Sequence, residues 1–136
     1  MADVGKGQLD VKPSVLRQLV FNAGLGTLFD KEHGWMYVNK NGDVVVSGVM
    51  VMDNGADNIR DGFVRYERGG KCGYASPKAT GTITERFDGC MPFEHGEAQV
   101  CNGCRKAPTP DGEYSYYEGG EWSCIDTKGL RVPCKP

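Results

Sequence analysis

Little in this sequence points to nucleic acid, to a membrane or to a familiar catalytic apparatus. Its 16 basic residues are outnumbered by 18 acidic ones, giving a net charge of −2. A chain without a basic excess lacks the electrostatic footprint of a nucleic-acid binder. No apolar run approaches the roughly 20 residues a membrane helix needs, and the opening "MADVGKGQLD" has no hydrophobic signal region. Histidine is scarce: His33 and His95 are the only two, far apart, with no second histidine at metal-ligand spacing. His95 beside Glu94 has the chemistry of a general base, but a turn residue next to a hydrophobic anchor at Phe93 is the simpler reading. Gly-x-Ser-x-Gly, His-Glu-x-x-His, P-loop and dinucleotide patterns are all missing. The acidic residues are scattered, as on a solvated surface. The expectation is a chain that is not an enzyme and carries no cofactor.

Glycine and cysteine are plentiful. Glycine supplies 20 of 136 residues, about twice the usual share, and many glycines mean many sharp turns and short strands. Six cysteines are many for this length: Cys72, Cys90, Cys101, Cys104, Cys124 and Cys134. An even count fits disulfides in an oxidising compartment, so the protein is expected in the periplasm or outside the cell. Cys101-Asn102-Gly103-Cys104 is a CxxC. A redox site would need a helix after it, whereas Pro108 and Pro110 follow. Zinc would need Cys90 and Cys124, or Cys134, as further ligands; structural disulfides are preferred, with pairing open. If a turn falls at Thr127-Lys128-Gly129, Cys124 lies opposite Val132, which makes Cys124 and Cys134 poor disulfide partners. The favoured arrangement ties Cys101 or Cys104 to Cys90, Cys124 or Cys134 on a neighbouring strand.

The chain also repeats itself. "HGWMYVNKNGDVVV", "GGKCGYASPKATGTI" and "GGEWSCIDTKGLRV" share a glycine, a Trp or Cys, a turn and a β-branched run. Aligned on Trp35, Cys72 and Trp122 they lie 37 and 50 residues apart, and removing the 14-residue Cys101–Tyr114 piece brings the second interval to 36. Such a period marks an array of one supersecondary unit. The spacers "NGADNIRDGFVRY" and "DGCMPFEHGEAQV" align through Ile59 with Phe93 and Gly62 with Gly96. Period-two alternation from Trp35 to Lys40 predicts a strand. Asn41-Gly42 predicts a type I′ hairpin flanked by a Lys40–Asp43 pair. The fold expected is all-β, about three antiparallel hairpin units over 28–136, with an insertion at 101–114. Residues 1–27 are the expected cap, either a strand or a short helix started by Ser14 with Val15, Leu16, Leu19 and Val20 on one face and stopped by Gly24.

These motifs resemble the WG-repeat family, whose unit runs roughly Gly-x-Trp-Gly-Tyr-Ile-Asp, a glycine turn, a β-branched run and a Phe-rich spacer. "GWMYVNKNG", "GKCGYAS" and "GEWSCID" match its first part and "FDGCMPFEHGEAQV" its spacer. Cys72 stands where the family has Trp, and Met36 and Ser123 where it has Gly. The resemblance implies a β-repeat that mediates protein contacts, and it carries over no catalytic residue. Some bacterial members are envelope proteins or partners of secreted toxins, so an immunity protein neutralising a toxin is the concrete form of this expectation. Tyr114, Tyr116, Tyr117 and Trp122 cluster on or beside the insertion and are the candidate binding residues, since Tyr and Trp give rigid contact area. A hydrolase or cell-wall-modifying enzyme with carboxylates between units, and a structural accessory domain, are the alternatives.

Overall fold

A computed structural model describes residues 11–52, 55–78 and 82–134. After a one-turn helix, α1 (Pro13–Leu16), the chain runs through β1 (Leu25–Asp30), β2 (Gly34–Asn39), β3 (Val44–Val49), β4 (Val51–Met52) and β5 (Gly55–Ala56). Next come β6 (Val64–Arg68), β7 (Lys71–Ala75), β8 (Thr82–Phe87) and β9 (Gly89–Cys90). The last five are β10 (Glu97–Asn102), β11 (Arg105–Pro108), β12 (Ser115–Glu118), β13 (Glu121–Asp126) and β14 (Arg131–Val132). The fold is all-β and antiparallel throughout: a six-stranded sheet β1-β2-β3-β6-β7-β8, a four-stranded sheet β14-β13-β10-β9, and two ribbons, β11-β12 and β4-β5. Among the described residues no helix is long and apolar enough to cross a membrane.

A turn with a non-glycine residue followed by glycine, both left-handed, recurs three times among the described residues. Ala23-Gly24, Asp61-Gly62 and His95-Gly96 all have positive φ at both residues, with values of 53° and 84°, 51° and 86°, and 54° and 82°. Each is closed by a reciprocal pair of backbone bonds, Asn22 with Leu25, Arg60 with Phe63, and Glu94 with Glu97. Two left-handed residues in a row make the type I′ geometry that matches strand twist. Glycine takes the second position without cost, while Asp and His tolerate the first better than most residues. His95 is thus a turn residue on the surface, and Phe93 beside it is buried. Ile59, aligned with Phe93, is partly exposed instead. Trp35, Cys72 and Trp122 each occupy the second residue of a strand, in β2, β7 and β13.

Two local expectations need correction. The Asn41-Gly42 hairpin has a three-residue loop: Asn39 N–H donates to Asp43 O, and only Gly42 has positive φ. Lys40 therefore lies in the loop and does not pair with Asp43. The cause is Asn39, whose side-chain oxygen accepts from the Asn41 and Asp43 amides at 3.0 Å each and stabilises the longer turn. Asp126 repeats this at Thr127-Lys128-Gly129, accepting from Lys128 and Leu130, so there the expected turn is found. At the N-terminal end Ser14 is not the cap. Lys12 holds that position without a side-chain bond, and Pro13 opens the helix, where its missing N–H costs nothing. Leu16 and Leu19 pack with Val11 and Phe21 on Met36, Val38 and Val44, whereas Val20 is 80% exposed and Gly24 belongs to the recurring turn. β1 spans both sides of residue 27. Residues 79–81 of "GGKCGYASPKATGTI" and the first residue of the spacer that opens at Asn54 lie outside the described residues.

The cores are aromatic and β-branched. Phe93, Tyr74, Val100 and Ile125 join Cys72 and Cys90 between the two larger sheets, and Tyr66, Val46 and Val64 fill the six-stranded sheet's own cluster. Burying each such apolar side chain contributes about 1.5–3 kcal/mol. Three disulfides join Cys72 to Cys90, Cys101 to Cys104 and Cys124 to Cys134, and among the described residues no cysteine is free. The first links the two sheets, β7 to β9. The others correct the expected pairing. Cys101 and Cys104 bond each other, and Cys124 bonds Cys134 with Cα atoms 5.2 Å apart. Cys124 does lie opposite Val132, as the turn implied. Strand β14 stops there, however, and Pro133 cannot extend a ladder, so Cys134 is not held at its diagonal distance.

Candidate functional site

Between Asn102 and Glu121 the chain leaves the four-stranded sheet as an arm, the β11-β12 ribbon. Its root is built from glycines. Gly103, Gly119 and Gly120 all have positive φ, and a Cβ on Gly120 would sit 2.5 Å from the Cys104 amide nitrogen. Only glycine allows the two strands of the root to pass so closely. The Cys101–Cys104 disulfide staples the same bend, and both sulfurs lie over Gly89. A Cβ there would come within 2.4 Å of Cys101 Sγ, 2.9 Å of Cys104 Sγ and 2.8 Å of Tyr117 Cδ1. Tyr117 thereby closes the disulfide from the arm side, and its hydroxyl is buried without a partner among the described residues. Asp88 braces the root by accepting the Gly103 amide at 2.6 Å and pairing with Lys71. The Lys71 bond and the amide bond hold its carboxyl below the usual range.

The arm folds back toward the six-stranded sheet, where Lys106 Nζ meets Glu67 at 2.8 Å. Its tip is a tight loop. Thr109 N–H donates to Tyr114 O, and Asp111 accepts from the Thr109 hydroxyl at 2.6 Å and the Glu113 amide at 3.0 Å. Those two bonds lower the Asp111 pKa.

Between the arm and the sheet runs an open groove of 1470 Å³. One wall is the arm with Tyr114, Tyr116 and Tyr117, continued by Trp122. The Tyr117 and Trp122 rings meet edge to face at 6.3 Å. The other wall is Met50, Val51, Met52, Met91 and Pro92. The exposed apolar groups are large: Tyr114 61%, Tyr116 49%, Trp122 44% and Val51 64%.

Arg65 lies at the floor, buried with Asp57. Its guanidinium grips both Asp57 oxygens at 2.7 and 3.1 Å, donates to Cys90 O at 3.0 Å and touches Met52 Sδ at 3.6 Å. The Arg65 amide donates to the same carboxylate at 2.9 Å. A buried ion pair persists only when its remaining donors are satisfied, and here Cys90 O takes the outlying one. The pair ties together two spacer segments, the one before Arg60 and the one before Glu94.

The four candidate residues Tyr114, Tyr116, Tyr117 and Trp122 thus all line one groove. Trp122 differs from its counterpart Trp35, which packs against a buried cluster. The sequence did not reveal the methionine wall or the Asp57–Arg65 pair. The one signal was "VMVM" (Val49 to Met52) running directly into a spacer. The cysteines weighed as zinc ligands are taken up in disulfides, and no group of three or more potential metal-binding side chains occurs among the described residues. Compared with family models, curated proteins and solved structures, the chain matches none.

Proposed function

We propose that this chain is a non-enzymatic binding module, and that the groove between arm and sheet receives a protein partner. The observation that carries this reading is the exposure of Tyr114, Tyr116, Trp122 and Val51 around one concave surface. Contiguous exposed apolar surface on a small protein marks an interaction site, and Tyr, Trp and Met are the side chains interfaces favour. The root is covalently fixed at Cys101–Cys104, so the aromatic wall is organised before the partner arrives, which lowers the ordering cost of binding.

The recurring Ala23-Gly24, Asp61-Gly62 and His95-Gly96 turns support reading the scaffold as three units of WG type, with the arm as an insertion in the third. Three disulfides suit an oxidising compartment, and within that class a periplasmic or extracellular protein is our reading. The concrete form is an envelope immunity protein that holds a secreted toxin. Against the hydrolase alternative stands the groove's chemistry: Glu67 is tied to Lys106, and Glu113 is the other carboxylate in the lining.

The test is site-specific photocrosslinking in the cells that make the protein. A crosslinker at Tyr116 is expected to give one discrete protein adduct that Trp122→Ala abolishes. The same crosslinker at Lys128, on the β13–β14 turn, is expected to give none. Equal labelling from both positions, or none from Tyr116, would reject the reading.

A further inference from the structure

Strands β6 and β10 follow the Asp61-Gly62 and His95-Gly96 turns, and each takes a neighbour on its outer edge in the same way. Arg65 O, three residues after Gly62, accepts the Met50 amide at 3.0 Å. Gln99 O, three residues after Gly96, accepts the Met91 amide at 2.9 Å. One residue further on, Tyr66 pairs with Val49 and Val100 with Cys90. The incoming segments are therefore Gly48-Val49-Met50 and Gly89-Cys90-Met91. Both glycines pass close to the receiving strand. A Cβ on Gly48 would lie 2.8 Å from Glu67 O, and one on Gly89 2.4 Å from Cys101 Sγ.

The Ala23-Gly24 turn leads into β1, where the matching positions are Thr27, Leu28 and Phe29. Asn22 and Leu25 exchange backbone bonds, so Leu25 turns its N–H and C=O away from β2. Polar groups alternate sides along an antiparallel strand. Those of Thr27 and Phe29 therefore also face away from β2, as the carbonyls of Arg65 and Gln99 face outward from β6 and β10. Among the described residues β1 pairs with β2 alone, in unbroken register. From Leu25 to Phe29 it holds no charge, proline or bulge, the devices that blunt an edge. Leu16, Leu19 and Phe21 cover the face that carries Leu28, which is a different surface from the edge. The side-chain space matches as well. Met50 packs in a buried cluster with Tyr74, which stands across from Arg65. Tyr37 stands across from Thr27, and both line a cleft of 580 Å³.

We infer that the outer edge of β1 docks an extended Gly-apolar-Met segment of another protein, repeating the joint that β6 and β10 make inside the chain. The segment runs antiparallel to β1. Its methionine amide donates to Thr27 O, its middle residue pairs with Leu28, and its glycine passes Phe29. The methionine side chain enters the cleft beside Thr27 and Tyr37. The chain's own Gly-x-Met runs are taken up by its own sheets, so a second copy does not supply the segment. Strand addition of this kind takes affinity from main-chain bonds and specificity from side-chain pockets. Docking here requires nothing of the arm.

The test uses a synthetic peptide of residues 85–93 carrying Cys90→Val, titrated to millimolar concentration on the full disulfide-bonded chain and followed by amide NMR. Shifts are expected to centre on residues 27–29 and on Tyr37. N-methylation of the peptide at residue 91 is expected to weaken binding about tenfold, since it removes the bond to Thr27 O. N-methylation at residue 90, whose polar groups face away from the receiving strand, should be tolerated. Thr27 is exposed, so Thr27→Lys should leave the rest of the spectrum in place while abolishing the shifts. Shifts gathered on Tyr116 and Trp122, shifts that survive N-methylation at residue 91, or no shift in β1 would overturn the proposal.

Discussion

Tyr74 donates its hydroxyl to the carbonyl of Met91 across 2.6 Å. Tyr37, in the equivalent position of the preceding hairpin, makes the same bond to the carbonyl of Asp57, also at 2.6 Å. Each acceptor stands three residues before a recurring turn, so each tyrosine ties its own hairpin to the spacer that follows. In β13 the position two residues after Trp122 holds Cys124, which bonds Cys134. A covalent bond there stands where β2 and β7 use a tyrosine hydrogen bond.

Tyr74→Phe keeps the ring that packs against Phe93 at 4.7 Å but leaves the Met91 carbonyl without that donor. Equilibrium denaturation is expected to show a loss of about 1–2 kcal/mol. Burial also pushes the Tyr74 phenol well above its usual range, so its hydroxyl should stay protonated in a spectroscopic titration until the protein unfolds.

The pattern of what the sequence revealed follows from the range of the interactions. Local features were legible: the Trp35 strand, the Thr127-Lys128-Gly129 turn and the aromatic cluster on the insertion all depend on neighbours in the chain. Spacing makes Cys124 and Cys134 poor partners only where the ladder runs on past Val132, and Pro133 ends it there. The Asn39 side-chain bonds altered the Asn41-Gly42 turn because residues outside a turn can set its length. Half of the groove was invisible for a different reason. Met50, Val51 and Met91 reach Tyr116 and Trp122 only through sheet topology, and no spacing rule links such distant positions.

The Asp57–Arg65 pair is buried on both sides, with side chains 3% and 8% exposed. Asp57→Ala leaves a guanidinium desolvated and is expected to cost about 3–5 kcal/mol. Adding Arg65→Met should recover part of that loss. A double-mutant cycle by chemical denaturation checks it, and additive costs would show that the two residues act independently.

Glu85 should contribute to acid sensitivity, alongside Asp88 and Asp111, whose carboxyls are also held below their usual range. The Tyr66 hydroxyl donates to it at 2.6 Å, and that bond, helped by Arg68 at 3.9 Å, outweighs burial and holds the carboxyl below its usual range. A depressed folded-state pKa gives stability that is complete above the unfolded value, near ~4.3, and that is lost as pH falls through the lower folded value. Glu85→Gln should therefore be less stable than the parent at pH 7, and the gap should close once the pH falls well below about 4. A gap that is constant with pH would contradict the assignment.

The disulfides should open in order of exposure. Cys134 is exposed, whereas Cys72 and Cys90 are 1% and 0% exposed. Timed reduction of the native protein with alkylation and mass spectrometry is expected to release Cys124–Cys134 first and Cys72–Cys90 last, since exchange requires access of a thiolate to sulfur. Before reduction no thiol should react, and six reactive thiols would refute the pairing.

The most direct test of the binding account is the affinity of the partner recovered through Tyr116, titrated calorimetrically against the parent chain and its Trp122→Ala variant. A central aromatic contact is expected to cost about 2 kcal/mol or more on truncation, roughly thirtyfold in affinity, with thermal stability nearly unchanged because Trp122 is 44% exposed. Equal affinity for the two proteins would contradict the account.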